Sequence, residues 1–356
     1  MIPPGETIGI LGGGQLGRML AMAAAQLGYR CHIYAPEAQS VAAEVSAAFT
    51  CAAWDDAEAM ARFAADCAVV TYEFENVPLH PLAALGSVPL LPHPRALGIA
   101  QDRLTEKQFV EKLGGRPAAY ATVDSPQDLS AAIAALGTPG ILKTRRDGYD
   151  GKGQWRIETP ADAEALDLPG QPLIYEGFVK FSAEFSILLC RSADGDVRFW
   201  DTPCNVHEGG ILARSSVPVP ALVHPQLVPA RALARKVARA LGYVGVLCVE
   251  FFATGADGIG GPVFNEMAPR VHNSGHWTIE GALTSQFENH IHAICGLPLG
   301  DTALAARSVE MRNIIGYAAE DWAKILSDPA NHLHLYGKPA ARPGRKMGHV
   351  NRLTLA

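Results

Sequence analysis

The feature that most constrains the fold stands at the start of the chain. An apolar run, Thr7–Leu11, ends in Gly12-Gly-Gly14-Gln-Leu-Gly17 and leads directly into Gln15–Leu27. There Leu16, Met19, Leu20 and Ala23 recur at helical spacing, and Gly28 stops the pattern. A strand that turns into a helix through closely spaced glycines is the opening unit of a layered α/β sheet. The run Cys31–Tyr34, an alanine-rich helix after Asp55 and the apolar run Ala68–Tyr72 repeat the alternation, and Pro89, Pro92 and Pro94 end it. This order predicts a parallel sheet with helices on its faces.

The glycine loop leaves three readings open. It fits G-x-G-x-x-G, which suggests a dinucleotide on the helix N-terminus, yet the position of the expected ribose acid reads Tyr34-Ala-Pro-Glu37. The glycines could instead serve only close strand–helix packing, or they could face another phosphorylated or polar ligand. Glu73 and Asn76 lie just past a predicted parallel strand, at the carboxyl edge where α/β sheets bind ligands.

The 356 residues suggest two or three domains at roughly 150 residues each. Thirty Lys+Arg against 36 Asp+Glu give a net charge of −6, which argues against a general nucleic-acid or membrane binder. No apolar run reaches membrane-span length, and MIPPGETIGILGGG has no basic n-region or cleavage site. The seven cysteines include no C-x-x-C pair and read as ordinary core residues of a reduced, cytoplasmic protein.

Further along, a polar helix is predicted over about Asp102–Leu113, and Ser125-Pro126 caps another that runs to Leu136. Leu173–Val219, including Glu184–Arg191, alternates apolar and polar residues, as expected of antiparallel strands with one wet face. A helix is predicted over about Gln226–Leu241 and another over Thr284–Cys295. After Gly296-Leu-Pro298 comes a smaller tail holding Met311–Gly316, Leu333–Tyr336 and Val350–Leu355.

Four motifs carry chemistry. Lys143 ends an apolar strand and is followed by Arg145, Arg146 and the loop Gly148-Tyr-Asp-Gly151-Lys152-Gly153-Gln154. Glycine-rich backbone and cations there suit a polyphosphate, although the loop is not a Walker motif. Val246–Ala253 and Pro262–Met267 read as a hairpin. Glu250 and Glu266 are equidistant from Gly258, which makes them cross-strand neighbours on one face. Two opposed carboxylates call for a cation, and oxygen ligands with phosphates suit magnesium. The stretch from Asn265 through Arg270, His272, Asn273 and His276 suits a small anion. Ser274-Gly275 between the histidines argues against a helical zinc pair. Lys338, Arg345 and Lys346, in a proline- and glycine-bounded loop, suit a phosphate monoester.

These stretches together resemble the N5-carboxyaminoimidazole ribonucleotide synthase family of ATP-grasp enzymes. The similarity runs through GILGGGQLGRML, TYEFENV, QDRLTEKQ, LKTRRDGYDGKGQW, NVHEGGILARSSVP, FNEMAPRVHNSGHWT and PGRKMGHVN. The resemblance implies a mixed α/β and α+β, ATP-grasp fold in three parts. These are an N-terminal Rossmann-like parallel-sheet domain (1–103), a central ATP-grasp domain (104–296, with a small lid over about 104–175) and a C-terminal cap (297–356). It implies ATP contacts from Arg103, Lys143, Gly148, Tyr149, Asp150, Gly151, Lys152, Gly153, Gln154, Glu176, Gly177, Phe178, Val179, Glu184, His207, Asn265 and Glu266. Glu250 and Glu266 would hold Mg2+. Arg270, His272 and Asn273, with Lys143, would be catalytic, near bicarbonate. Gln15, Leu16, Glu73, Asn273, Lys338, Arg345 and Lys346 would surround 5-aminoimidazole ribonucleotide.

The implied reaction is carboxylation of that nucleotide's amine, driven by ATP through carboxyphosphate, in a cytoplasmic homodimer of purine biosynthesis. A formate-dependent ribonucleotide transformylase is the alternative, sharing the nucleotide site but not the anion loop.

Overall fold

The computed structural model describes residues 1–148, 151–255 and 260–355. The N-terminal segment folds as β1 (Thr7–Leu11), α1 (Gln15–Gln26), β2 (Arg30–Ala35), β3 (Ala48–Cys51), α2 (Ala57–Ala65) and β4 (Val69–Tyr72). Its strands form a parallel sheet in the order β3-β2-β1-β4. The period of two decides the packing. Ile8 and Ile10 join the core of Leu16 and Leu20 of α1, while Leu11 packs with Met60 and Phe63 of α2. Strand β3 is not legible in the sequence because Ala48-Phe-Thr-Cys51 is a short, half-exposed edge strand without an apolar run. Its Cys51 is exposed, a correction to the core reading, whereas Cys31, Cys67, Cys190, Cys248 and Cys295 are buried.

Two helices, α3 (Pro94–Ala100) and α4 (Arg103–Lys112), lead into the central region. Asp102 caps α4 by accepting the amides of Leu104 (3.0 Å) and Thr105 (3.2 Å). The buried face of α4 carries Glu106, Lys107 and Val110, so this helix docks mainly through charge. A small antiparallel sheet follows, built from β5 (Tyr120–Val123), β6 (Gly140–Thr144), β7 (Gln154–Ile157) and β8 (Leu173–Gly177) in the order β5-β8-β6-β7. It is backed by α5 (Pro126–Leu136), which starts on the Ser125 cap, and by α6 (Pro160–Glu164).

The rest is organised around a large antiparallel sheet, nine-stranded among the described residues. Its strands and helices are β9 (Ala183–Arg191), β10 (Val197–Phe199), β11 (Cys204–Glu208), β12 (Ile211–Val217), α7 (His224–Ala240), β13 (Gly245–Ala253), β14 (Val263–Ala268), α8 (Thr278–Gly281), α9 (Gln286–Cys295), β15 (Ser308–Ile315), α10 (Trp322–Leu326), β16 (Asn331–Leu335) and β17 (Lys346–Thr354). The order is β14-β13-β9-β11-β12-β15-β17-β16, with β10 on β9. The tail strands β15 to β17 therefore extend the central sheet rather than forming one of their own.

The expectation of one wet face fails for β9. Phe185, Ile187 and Leu189 are buried in the core shared with α7, and Leu188 and Cys190 in the core shared with α9. Ser186 and Cys190 are small enough to be buried beside another element, so their polarity misreports exposure. Among the described residues no helix is long and apolar enough to cross a membrane.

Candidate active site

The carboxyl edge of the parallel sheet, the small sheet and the β14 end of the large sheet enclose one cleft of about 530 Å³. Its lining includes Gln15, Leu16 and Glu73 from the first sheet; Lys143, Gly148, Gly151 and Gln154 from the small one; and Glu184, His207, Glu250, Asn265 and Glu266 from the large one. Arg103, Arg270, His272, Asn273 and Lys346 complete it. Residues thus reach it from both ends of the chain.

The glycine loop is resolved by Glu73. Its carboxylate accepts the amides of Gly14 (2.9 Å, at Oε1) and Gly17 (3.2 Å, at Oε2). A Cβ on Gly12 or Gly14 would lie 2.7 or 2.8 Å from Glu73 Oε1. The N-terminus of α1 therefore already binds an anion, and that anion is a side chain. A dinucleotide pyrophosphate has no place there, which overturns that reading. The glycines make room for Glu73, whose carboxyl burial raises against the pull of those two amides.

Lys143 is at the end of β6, and its Nζ donates to Glu176 Oε2 on β8 at 3.0 Å. Register places the two diagonally: Glu176 pairs with Ile141 and Lys143 with Ile174. Lys107 Nζ of α4 approaches the other oxygen at 3.2 Å, so one carboxylate serves two buried ammonium groups. Burial alone would raise the Glu176 carboxyl, but Lys143 and Lys107 outweigh it and bring it down to about 2. Burial lowers Lys143, with Arg103 and Lys107 adding to that against Glu176. The carboxylate is thus firmly ionised, and the lysine is a destabilised cation poised for an anionic ligand.

Glu250 and Glu266 are register partners across β13 and β14, as the spacing predicts. A bulge follows immediately, because Phe251 pairs with Phe264 and Asn265 is the extra residue. It lies on the turn side of the pair and leaves the glutamates on one face. Gly258, the expected turn centre, lies outside the described residues, as do Tyr149 and Asp150. Arg103 donates to Glu266 Oε2 at 3.0 Å, and His272 Nε2 lies 3.2 Å from Glu250 Oε1. Burial and then the charge of Glu266 push Glu250 up to about 7, whereas Arg103 overcomes burial and holds Glu266 below the usual range. Two carboxylates opposed on one face, one of them raised by the charge of the other, mark a place for a cation, and these hard oxygen donors fit magnesium. Cys248 approaches Glu250 and His272 as well, but complete burial raises its thiol and makes it a poor ligand.

The anion loop is held from behind. Arg270 Nε pairs with Glu75, and its NH1 donates to the Val271 carbonyl at 3.0 Å. Gln286 brackets the His272 backbone, accepting from its amide (2.9 Å) and donating to its carbonyl (2.7 Å). Asn273 and Asn313 exchange amide hydrogen bonds of 3.0 and 2.7 Å. The two histidines part company: His272 lines the cleft, while His276 is buried against His349 and Phe287. His207 Nδ1 lies 2.7 Å from Glu184 Oε2. Burial lowers its imidazole, but Glu184 and Glu250 more than reverse this and favour the cation.

Other expected residues lie back from the lining. Lys152 and Gly153 stand in the loop beside Gln154. Gly177, Phe178 and Val179 lead out of β8, with the Gly177 amide on the Ala119 carbonyl and the Phe178 ring under Arg156. Lys338 Nζ donates to the Lys346 carbonyl at 2.7 Å, and Arg345 NH1 to the Ala340 carbonyl at 2.8 Å.

Against known proteins, residues 5–101 match the ribonucleotide synthetase preATP-grasp domain, 108–287 the ATP-grasp domain and 310–355 the phosphoribosylaminoimidazole carboxylase C-terminal domain. The N5-carboxyaminoimidazole ribonucleotide synthase of Brucella melitensis is 49% identical, over 99% of this chain and 97% of that protein. The chain belongs to the N5-carboxyaminoimidazole ribonucleotide synthase family. The synthetase of Thermus thermophilus superposes with a TM-score of 0.90 at 46% identity, covering 98% of this chain and 94% of that one. The Aspergillus clavatus synthase, solved with ADP and 5-aminoimidazole ribonucleotide, superposes at 0.88 with 32% identity, covering 98% and 94%.

Within this synthase-family chain, the residues not singled out from sequence are Glu75, Asp102, Glu106, Lys107, Gln286 and Asn313. One signal was available for α4: Arg103, Glu106 and Lys107 stand at i, i+3 and i+4, hence on one face. That face meets Glu266, the Met267 amide and Glu176. For Gln286 and Asn313, sequence offers no signal.

Proposed function

We propose that this chain carboxylates the exocyclic amine of 5-aminoimidazole ribonucleotide, using ATP and bicarbonate and releasing ADP and phosphate. The observation that carries the reading is the single cleft, in which the Glu250–Glu266 pair, Lys143 and Arg270 all converge. A bicarbonate oxygen attacks the terminal phosphoryl of ATP, giving carboxyphosphate, and the amine then takes the carboxyl group as phosphate leaves. Phosphorylation is needed because bicarbonate itself is a poor electrophile.

The protein supplies position and charge. Lys143, backed by Glu176, faces the phosphates, and Arg103 aligns Glu266. The Gly148–Gln154 loop, the Glu176–Val179 segment, Glu184, His207 and Asn265 complete the nucleotide site. Glu250 and Glu266 would hold magnesium, which when bound neutralises charge on the transferring phosphoryl. Arg270, set by Glu75, with His272 and Asn273, would seat bicarbonate. Gln15, Leu16 and Glu73 would contact the aminoimidazole ribonucleotide, with Lys346, Lys338 and Arg345 toward its phosphate. The boundaries 1–103, 104–296 and 297–356 belong to the same reading, supported by the three matched segments. The family resemblance is what supports a cytoplasmic homodimer.

ADP release is expected only when magnesium, bicarbonate and aminoimidazole ribonucleotide are all present. Omitting each in turn tests this, and formate replacing bicarbonate with full activity would transfer the chain to the transformylase reading. A pH dependence follows from Glu250. Because its carboxyl is pushed up to about 7, protons compete with the cation below that pH. Apparent magnesium affinity should fall roughly tenfold per pH unit below 7 and level off above it. A flat profile between about pH 6 and 8 would remove Glu250 from the metal set.

A further inference from the structure

Among the described residues β14 is the end strand of the large sheet, and its outer edge meets no full strand, only an isolated parallel bridge from Pro117 to Phe264. Glu266 sits in the middle of that edge, directly after the Asn265 bulge. Unpinned, a bulged edge strand could slide or twist and carry its carboxylate out of line with Glu250. The edge is nevertheless tied on both sides of Glu266. The Phe264 amide donates to the Arg116 carbonyl at 2.8 Å, and the Met267 amide donates to Glu106 Oε1 at 2.7 Å.

Glu106 is 2% exposed, and a carboxyl is costly to bury at a purely packing position. It stands one turn from Arg103, which grips Glu266 itself, and next to Lys107, which grips Glu176. Helix α4 therefore touches both carboxylates that organise the cleft, and Glu106 is its backbone contact.

We propose that Glu106 is a positioning residue: by accepting the Met267 amide it fixes the β14 edge and thereby aims Glu266 at the metal position opposite Glu250. What matters is an acceptor oxygen at the end of a two-methylene arm. Charge is not required. The proposal rests on the reading of Glu266 as a metal carboxylate.

Burial and the nearby charge of Glu266 push the Glu106 carboxyl up to about 8. Two variants separate reach from ionisability. Glu106→Gln keeps the arm and the acceptor but has no ionisable group, while Glu106→Asp keeps a carboxyl but is one methylene too short. Hydrogen exchange of β14 in the ligand-free protein should show wild-type protection of the Met267 amide in Glu106→Gln and its loss in Glu106→Asp. By calorimetry, ATP with magnesium should bind Glu106→Asp about 10- to 100-fold more weakly than wild type, the range seen when a group behind a metal ligand is removed. Binding of ATP in EDTA should stay within about threefold of wild type, and Glu106→Gln should stay within about threefold in both conditions. Turnover should follow the same order, with the loss in kcat rather than in KM for the ribonucleotide.

Should Glu106→Asp lack a cooperative thermal transition, Glu106→Met, which has an arm but no oxygen acceptor, replaces it with the same expected losses. The proposal is overturned if Glu106→Asp performs as well as Glu106→Gln, or if both match wild type, or if both lose alike. Exchange and nucleotide binding require no carboxylation. Wild-type protein that releases no ADP with the full substrate set would refute the proposed function and leave this comparison readable.

Discussion

Replacing Glu266 by glutamine should lower ADP release by roughly 100- to 1,000-fold, the usual scale for losing one preorganised charge in a phosphoryl-transfer site. Shape is nearly conserved, and the amide oxygen still offers Arg103 an acceptor in place of the carboxylate at 3.0 Å. What disappears is one of two negative charges that share a sheet face. The fold should tolerate this, because the Glu266 side chain is 42% exposed and lines the cleft. Thermal unfolding should therefore stay close to wild type while turnover collapses. Turnover near the wild-type level at saturating magnesium would exclude Glu266 from metal binding.

The second large effect is on stability. Glu176→Gln strips the countercharge from Lys107 and Lys143, which are 1% and 7% exposed. Breaking a buried ion pair from one side leaves an uncompensated charge and costs about 3–5 kcal/mol. Here two cations are left, so the loss should fall at the upper end of that range in denaturant unfolding. Adding Lys107→Met should restore part of it by removing one orphaned ammonium, giving a coupling that the single variants alone would not predict. A Glu176→Gln protein within about 1 kcal/mol of wild type would show that solvent in the cleft already neutralises both lysines. Acid acts in the same direction. The Glu176 carboxyl is held down near 2, so its contribution is present above the ordinary glutamate range and lost as pH falls toward that value.

How much was legible depended on the distance over which each feature is decided. The Glu250–Glu266 pairing could be read because a hairpin ties register to symmetry about its turn: the pairs Phe251–Phe264 and Phe252–Val263 are symmetric half a residue before Gly258, and the Asn265 bulge adds the one residue that brings Glu250 opposite Glu266. The strand–glycine–helix opening could be read for the same local reason. Its ligand could not, because the group occupying the α1 N-terminus comes from Glu73, fifty-nine residues beyond Gly14. The wet face expected of β9 failed because exposure is a property of what covers a strand, here α7 on one side and α9 on the other.

The amino-acid sequence by itself determined the turns, caps and hairpin register, since each follows from backbone sterics and from hydrogen bonds between residues close along the chain. It also carried enough extended similarity to assign the family. Only the tertiary structure decided which charge meets which: Glu73 with the glycine loop, Lys107 and Lys143 with one glutamate, Glu106 with the edge of β14. Those pairings join segments up to 161 residues apart. They exist because a buried charge or amide must find a partner, and the partner is whichever group the packed sheets bring within hydrogen-bond reach.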